Sequence, residues 1–154
     1  MKLAFIILLS ITVVQLAYAD EREDCRKKTT TSEIADCIER GVYDPCDDAG
    51  GTWGRAMCAY AHTEVAERKM AKSEQEIIFR LKKAQADKRL ETNFLSVQKA
   101  WRDFRGSYCK FTNAVNDYGV YFDSSSRTHY GFCLRRLTEA HLKELEMILE
   151  RDDP

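Results

Sequence analysis

Residues 95–109 read LSVQKAWRDFRGSYC, and this stretch carries most of what the sequence says about the fold. Gln98, Trp101, Arg105 and Cys109 follow one another in it at steps of three, four and four, which place them on one face of an α-helix. On that face Arg105 can stack on the Trp101 indole, and Gln98 is suited to a hydrogen bond between helices. We therefore interpret the face as an interhelical contact, with Trp101 in the core; the alternative is that Arg105 recognises a partner.

The apolar pattern of this helix extends beyond the stretch in both directions. Large apolar residues recur at alternating steps of four and three, at Leu90, Phe94, Val97, Trp101, Phe104, Tyr108, Phe111 and Val115. Such a 3.5-residue seam predicts a long helix that packs lengthwise against an antiparallel neighbour. We interpret the whole seam as core, so Trp101→Ala should lower the free energy of unfolding by about 3–5 kcal/mol. A seam wider than one neighbour can cover would instead favour a homodimer.

The antiparallel neighbour is predicted to be the charged segment 63–86, which precedes the seam. Its apolar residues share one helical face: Ala66, Met70, Ile77, Leu81 and Ala84. Asp87 can cap the helix that follows, so the chain is expected to turn back there. Upstream, a helix is expected to restart after Gly51, with Thr52 as its cap.

Shorter elements are predicted on both sides of this hairpin. Thr30 and Glu33 form a capping-box pattern, which predicts a short helix that stops at Gly41. Segment 116–130 has the composition of a loop, and a last helix is predicted over 137–150. The sequence thus predicts an all-α fold, in which a long antiparallel helical hairpin with short N-terminal and C-terminal helices is stapled by disulfides.

Six cysteines lie beyond residue 19: Cys25, Cys37, Cys46, Cys58, Cys109 and Cys133. An even number in an exported chain indicates disulfides rather than metal ligands, and no CxxC pair is present to suit zinc. The first four cysteines form two segments of the spacing Cys-x11-Cys. We predict that each segment closes on itself, which would contribute roughly 3 kcal/mol through loop entropy. A crossed pairing between the two segments stays open, while a bridge from Cys109 to Cys133 would tie the long helix to the last one.

The first nineteen residues read as a signal peptide. Lys2 precedes an apolar stretch over 3–14, and Ala17-Tyr18-Ala19 fits a small-x-small cleavage site. The mature chain is therefore expected in the periplasm or secreted, without a membrane anchor. We divide it into an N-terminal extension over 20–45, which holds the Cys25–Cys37 pair, and a helical domain over 46–154.

The composition excludes several classes of function. The chain has 24 Lys and Arg against 25 Asp and Glu, so no basic surface for nucleic acid is indicated. His62, His129 and His141 are scattered and fit no metal-binding spacing, and no nucleophile elbow or phosphate loop is present. We expect no catalytic residues, no metal and no cofactor, and therefore a protein that acts by binding.

A binding surface is predicted in the loop that precedes the last helix. Tyr118, Tyr121, Phe122 and Asp123 lie there, and tyrosine provides a large contact area at a low entropy cost. The alternative is an ordinary ordered loop, in which Tyr121 and Phe122 pack into the core.

Two motifs carry a family resemblance: Gln98-x2-Trp101-x3-Arg105-x3-Cys109 and Cys133-Leu134-x2-Leu137-Thr138. Together with the Cys46-x11-Cys58 pair, they resemble the bacterial lysozyme inhibitor LprI-like domain over about Cys46 to Leu145. The motif residues, Thr138 included, are expected to be mainly structural. His141 departs from the pattern, because the family usually has an arginine at its place.

The resemblance implies a helical protein built around a long antiparallel pair, and some members of the family block lysozyme. The implied partner is therefore a lysozyme whose cleft the protein occludes. Animal lysozymes are basic and carry a carboxylate pair in an open cleft, so acids on the rim of an inhibitor would speed the encounter. Asp47, Asp48 and Asp123 are the candidates. The alternative is an interaction or structural module of the envelope with another protein partner, including a homodimer formed on helix faces.

Overall fold

The computed structural model describes residues 19–48, 50–116 and 124–151. Within these ranges the chain forms five helices and no strand, which confirms the all-α prediction. They are α1 over 19–26, α2 over Thr31–Glu39, α3 over Gly51–Lys83, α4 over Lys88–Asn116 and α5 over Ser124–Arg151. The predicted signal peptide lies outside the described residues, apart from its last position. None of the described helices is long and apolar enough to cross a membrane.

The main packing of the fold is between α3 and α5, which run in the same direction. Near their first turns Thr128 Oγ1 donates to the Thr52 carbonyl at 3.0 Å, and near their last turns Arg80 Nη1 donates to the Leu149 carbonyl at 2.8 Å. The buried core between them consists of Ala66, Met70, Ile77, Leu142 and Leu145. Three of these residues belong to the face that the sequence predicted for segment 63–86.

Helix α4 runs antiparallel to both α5 and α3, and its backbone lies farther from α3 than that of α5 does. The predicted antiparallel pairing with α3 is present in the ion pairs Glu67–Arg105, Glu74–Arg102 and Lys82–Glu91. The prediction is wrong only in making α4 the closest neighbour of α3, because α5 takes that place. Small residues explain the difference, because α3 is lined with alanines where α5 approaches. A Cβ added to Gly131 of α5 would lie 3.1 Å from the Ala59 Cβ, so the two helices are in very close contact there. The bulky seam of α4 could not approach α3 as closely.

The prediction that the whole seam of α4 is core is also wrong. Phe94 and Trp101 pack against the core cluster. One row of the seam, whose four residues are spaced by seven positions, is exposed. The exposed fractions are 51% for Leu90, 59% for Val97, 56% for Phe104 and 65% for Phe111. Helix α4 turns toward α5 with the face of Gln98 and Cys109, which lies roughly a third of a turn from this row.

Helix α5 begins earlier than predicted, because residues 124–130 are helical rather than loop. The residues of its first turns have a composition typical of a loop, but their side chains form hydrogen bonds to the other long helices. Ser126 is buried and accepts a hydrogen bond from Asn113 Nδ2 at 2.6 Å, and Thr128 bonds α3. The last helix therefore has 28 residues and is as long as α4, not short.

The N-terminal elements follow the sequence prediction closely. The Thr30 hydroxyl accepts from the Glu33 amide at 3.3 Å at the start of α2, and Gly41 has a φ of 71° just beyond its end. Arg68 of α3 holds α2 in place through ion pairs with Asp36 and Glu39. These carboxylates raise the pKa of Arg68.

The start of α3 differs from the sequence prediction, whereas the turn between α3 and α4 agrees with it. The cap predicted at Thr52 is wrong, because α3 begins at Gly51 with Gly50 as its N-cap. From there α3 continues without a break through the predicted segment 63–86 as far as Lys83. Asp87 is confirmed as the cap of α4, since its Oδ1 accepts from the Arg89 amide at 2.9 Å.

Three disulfides join the six cysteines as Cys25–Cys37, Cys46–Cys58 and Cys109–Cys133. Each of the two Cys-x11-Cys segments closes on itself, so the crossed pairing is not the one adopted. The third bridge joins α4 to α5 near the end of α4, as predicted. The described chain thus has no free cysteine.

Candidate functional site

The motif residues of α4, Gln98, Trp101, Arg105 and Cys109, form contacts inside the helical bundle. Gln98 is 3% exposed, and its Oε1 lies 2.8 Å from His141 Nε2 of α5. The His141 ring stacks on Trp101 with a centroid separation of 4.1 Å. His141 also reaches Glu144 through its other ring nitrogen at 3.2 Å. The histidine that replaces the usual family arginine is thus a packed partner of two motif residues.

Arg105 links α4 to both other long helices. Its Nη1 donates to Thr138 Oγ1 of α5 at 2.7 Å, and its Nη2 forms an ion pair with Glu67 of α3 at 2.6 Å. The guanidinium carbon lies 5.1 Å from the centre of the Trp101 ring, within the range of a cation–π contact. The Arg105 side chain is only 13% exposed, which leaves little of it for a partner to contact.

The motif therefore offers almost no surface. Cys109 and Thr138 are fully buried, and Gln98 is nearly so. These contacts favour the structural interpretation of the motif over a recognition role. A partner-binding surface has to be sought in exposed residues elsewhere on the domain.

One end of the bundle combines several of the sequence candidates. The start of α3, the end of α4 and the start of α5 meet there, through the bonds of Thr52 with Thr128 and of Asn113 with Ser126. The Cys109–Cys133 bridge adds a covalent link close by. Both helix ends that flank segment 117–123 are thus fixed at this end, which we call the loop end of the bundle. Tyr118, Tyr121, Phe122 and Asp123 themselves lie outside the described residues.

Asp47 and Asp48 precede α3 and are exposed near the same end. Asp48 accepts hydrogen bonds from Arg26 at 2.9 and 3.1 Å, which partly neutralises its charge. Asp47 lines a depression of about 260 Å³ together with Tyr43 and Asp44. Burial raises the pKa of the Tyr43 hydroxyl above its ordinary value.

Trp53 is the residue of this end that sequence reasoning missed. It lies in the first turn of α3 and is 65% exposed. Tryptophan is enriched among the hot spots of protein interfaces, so an exposed Trp53 is a candidate anchor for a partner. A signal was available in the sequence, since Gly51, Gly54 and Arg55 surround Trp53 with residues that are untypical of a core helix.

A group of potential metal ligands also lies near this end. The ligand atoms of Asp44, Cys46, Cys58 and His62 are within 4.8 Å of one another. The two sulfur atoms are bonded to each other, and a disulfide supplies no thiolate for a metal ion. His62 Nε2 is hydrogen-bonded to Asp44 at 2.9 Å, so the group forms a structural clasp between the 44–46 turn and α3. The spacing of these residues in the sequence gave no hint of the cluster.

One known protein family matches the helical domain. The family described as Lysozyme inhibitor LprI matches residues 46–145, which is most of the described helical bundle. No curated protein and no solved structure matches the chain. The match includes α3, α4 and the first part of α5, with the Cys46–Cys58 and Cys109–Cys133 bridges. The chain therefore belongs to the lysozyme inhibitor LprI family.

Proposed function

We propose that this protein inhibits lysozyme by binding over its cleft, and that it acts by binding rather than by catalysis. The observation that carries the proposal is the family match over residues 46–145, which contains every element of the loop end. The proposal adds a mechanism and a surface to that family assignment. Three disulfides are typical of proteins from oxidising compartments, so we place the mature chain in the periplasm or outside the cell.

The loop end is the surface that we assign to lysozyme. It combines the exposed indole of Trp53 with the exposed carboxylates of Asp47 and Asp48. An exposed aromatic anchor that follows two exposed acids in the chain suits a basic enzyme with an open cleft, because the anchor supplies affinity and the acids speed association. The sequence candidates Tyr118, Tyr121, Phe122 and Asp123 belong to the segment that this end flanks, and we include them in the surface.

The charge distribution favours the loop end over the side of the bundle as the surface that binds lysozyme. Segment 20–58 carries ten acids against six bases, whereas α4 carries two acids against six bases. A basic lysozyme would be attracted to the first region and repelled by the second. The inhibitory surface is therefore proposed near the start of α3 and not along α4.

The direct test is a muramidase assay with the purified chain over 20–154. At a micromolar excess over an animal-type lysozyme, we expect cell-wall turnover to stop, and the inhibition to weaken as salt is added because the acids act through long-range attraction. Unchanged turnover at that excess would remove the proposal.

Matched variants locate the surface. Trp53→Ala should raise the inhibition constant at least about 30-fold, as expected for a hot spot. Phe79→Ala is the control, because Phe79 is 60% exposed on the same helix at its opposite end. Asp47→Asn with Asp48→Asn should slow association. The control pair is Glu146→Gln with Glu150→Gln, two exposed acids near the far end of α5.

A second candidate function is an interaction or structural module of the envelope with a protein partner other than lysozyme, including a second copy of the chain. The observation that favours it is the exposed apolar row of α4. If the muramidase assay shows no inhibition, this second function remains. Measurement of the oligomeric state would then test whether the partner is a second copy of the chain.

A further inference from the structure

The exposed row of α4 is too regular to be an incidental property of its surface. Leu90, Val97, Phe104 and Phe111 are spaced by seven residues, and each has at least half of its surface exposed. A seven-residue apolar repeat keeps facing the same side only when another helix winds along it. Among the described residues, no helix of the chain covers this row.

A second row of the same helix lies beside the first and consists of small residues. Asn93, Ala100, Ser107 and Ala114 are also spaced by seven, and the first three are exposed. The two rows adjoin on one side of α4, because each small residue is three positions after a large one. The face is therefore a ridge of large side chains next to a groove.

This face is complementary to itself. If a second α4 is placed antiparallel about a twofold axis level with Arg102, each large residue meets a small one. Leu90 then faces Ala114 of the other copy, Val97 faces Ser107, Phe104 faces Ala100, and Phe111 faces Asn93. One register pairs a large residue with a small one at all four positions. A symmetric dimer requires such self-complementarity, because its interface uses the same patch of both copies.

The area of the face suits a dimer of moderate affinity. Six large side chains contribute to it, namely the four of the row with Tyr108 and Val115, at exposed fractions of 36% to 65%. Together they expose on the order of 500 Å². With the small residues between them, each copy approaches the roughly 800 Å² that a partner contributes to a standard interface. A patch of this size on a monomer marks an interaction site.

We propose that α4 is the interface of a homodimer, in which two copies pack their seven-residue rows antiparallel in the large-to-small register. This inference deepens the second candidate function. Its interface runs along α4, whereas the surface proposed for lysozyme includes Trp53, Asp47 and Asp48 near the start of α3. The net positive charge of α4 opposes the association of two copies, so added salt should strengthen the dimer.

Sedimentation equilibrium of the chain over 20–154, without lysozyme, tests the dimer. We expect a dissociation constant on the order of 10 µM, which decreases as salt rises. Ala100→Glu should raise it at least about 100-fold, because the carboxylate would be buried against Phe104 of the other copy. Ala71→Glu is the control, since Ala71 is exposed on α3 and away from the row. Both alanines are exposed, so neither change should disturb the monomer.

The outcomes separate this inference from the alternatives. A monomer at several hundred micromolar in high salt would overturn the dimer. Binding to vesicles of anionic phospholipid that is lost on adding salt, by a chain that stays monomeric, would assign the row to a lipid surface instead. If Ala100→Glu abolished lysozyme inhibition in a monomeric protein, the row would belong to lysozyme. Inhibition by an Ala100→Glu monomer together with dimerisation of the unchanged chain would support both proposals.

Discussion

His141 of α5 stacks on Trp101 of α4, with ring centroids 4.1 Å apart and ring planes 15° from parallel. The stack lies at the middle of the contact between two helices that are also joined by the Gln98 bond and the Cys109–Cys133 bridge. It therefore fixes the register of α4 on α5. The free energies of these contacts can be measured one by one.

Replacing Trp101 by alanine should lower the free energy of unfolding by about 3 kcal/mol, near the lower end for a large aromatic, because its side chain is only partly buried. Trp53→Ala is the matched control and should be nearly neutral, since Trp53 is 65% exposed. Urea denaturation of both variants measures the difference. Equal losses would contradict the packing described for Trp101.

The Gln98–His141 hydrogen bond should appear as a coupling energy of about 1–2 kcal/mol in a double-mutant cycle, because the two groups are buried and face each other. The cycle compares Gln98→Ala, His141→Ala and the double variant by thermal or urea unfolding. Gln75→Ala, an exposed glutamine of α3, replaces the first change in a control cycle and should give additive effects. Additivity in both cycles would show that the bond contributes nothing.

Replacing both Cys109 and Cys133 by alanine should lower the free energy of unfolding by about 3–4 kcal/mol and should weaken lysozyme inhibition, because the bridge fixes both flanks of segment 117–123. The alanine pair at Cys25 and Cys37 is the control. It removes a bridge outside the matched residues 46–145 and should leave inhibition unchanged while it loosens α2. Loss of inhibition in the control would place part of the surface in the N-terminal extension.

The capping box of α2 should respond to acid. The hydrogen bond from the Thr30 hydroxyl holds the pKa of Glu33 below its ordinary value. A carboxyl with a lowered folded pKa stabilises the fold fully above its unfolded pKa, and this contribution is lost as pH falls through the folded pKa. We therefore expect the cap to loosen at acid pH, which an NMR titration of the Thr31 and Glu33 amides would detect. In Glu33→Gln the titration step should vanish, and a step that persists would have another origin.

Two glycines of the long helices should respond in opposite ways to alanine. Gly106 has open space where the methyl group of an alanine would lie, so Gly106→Ala should stabilise the fold by about 0.5–1 kcal/mol through helix propensity. At Gly131 the added carbon would lie 3.1 Å from the Ala59 Cβ, so α5 would have to move away from α3 and the same gain should be cancelled. Melting temperatures of the two variants give the comparison. A similar gain at both positions would contradict the close contact of α3 with α5.

Local chemistry made much of the fold predictable from the sequence. The Thr30–Glu33 cap, the left-handed Gly41 and the Asp87 cap follow from residue types at fixed offsets, and the structure has all three. The local pairing of each Cys-x11-Cys segment and the Cys109–Cys133 bridge were predicted and are present, although the spacing also allowed a crossed pairing of the first four cysteines. These features depend only on neighbours within a few residues, which a sequence displays directly.

Other features of the chain depended on distant partners. Residues 124–130 are helical because Ser126 and Thr128 bond Asn113 and Thr52, and no local pattern announces those bonds. For Trp53 the sequence carried a local signal in Gly51, Gly54 and Arg55, but the exposure of its side chain became apparent only in the folded chain.

The sequence by itself determined that the chain forms long helices and where α2 and α4 begin. The tertiary structure selected the local pairing of the first four cysteines over the crossed one. Only the tertiary structure decided which face of α4 is inside. Periodicity shows that two rows of the seam share a side of the helix, but it does not say which neighbour covers them. The small residues of α3 admit α5 at close range, so α5 rather than α4 is the closest neighbour of α3. Because α4 then meets α5 through Gln98 and Cys109, the row of Leu90, Val97, Phe104 and Phe111 is left facing solvent.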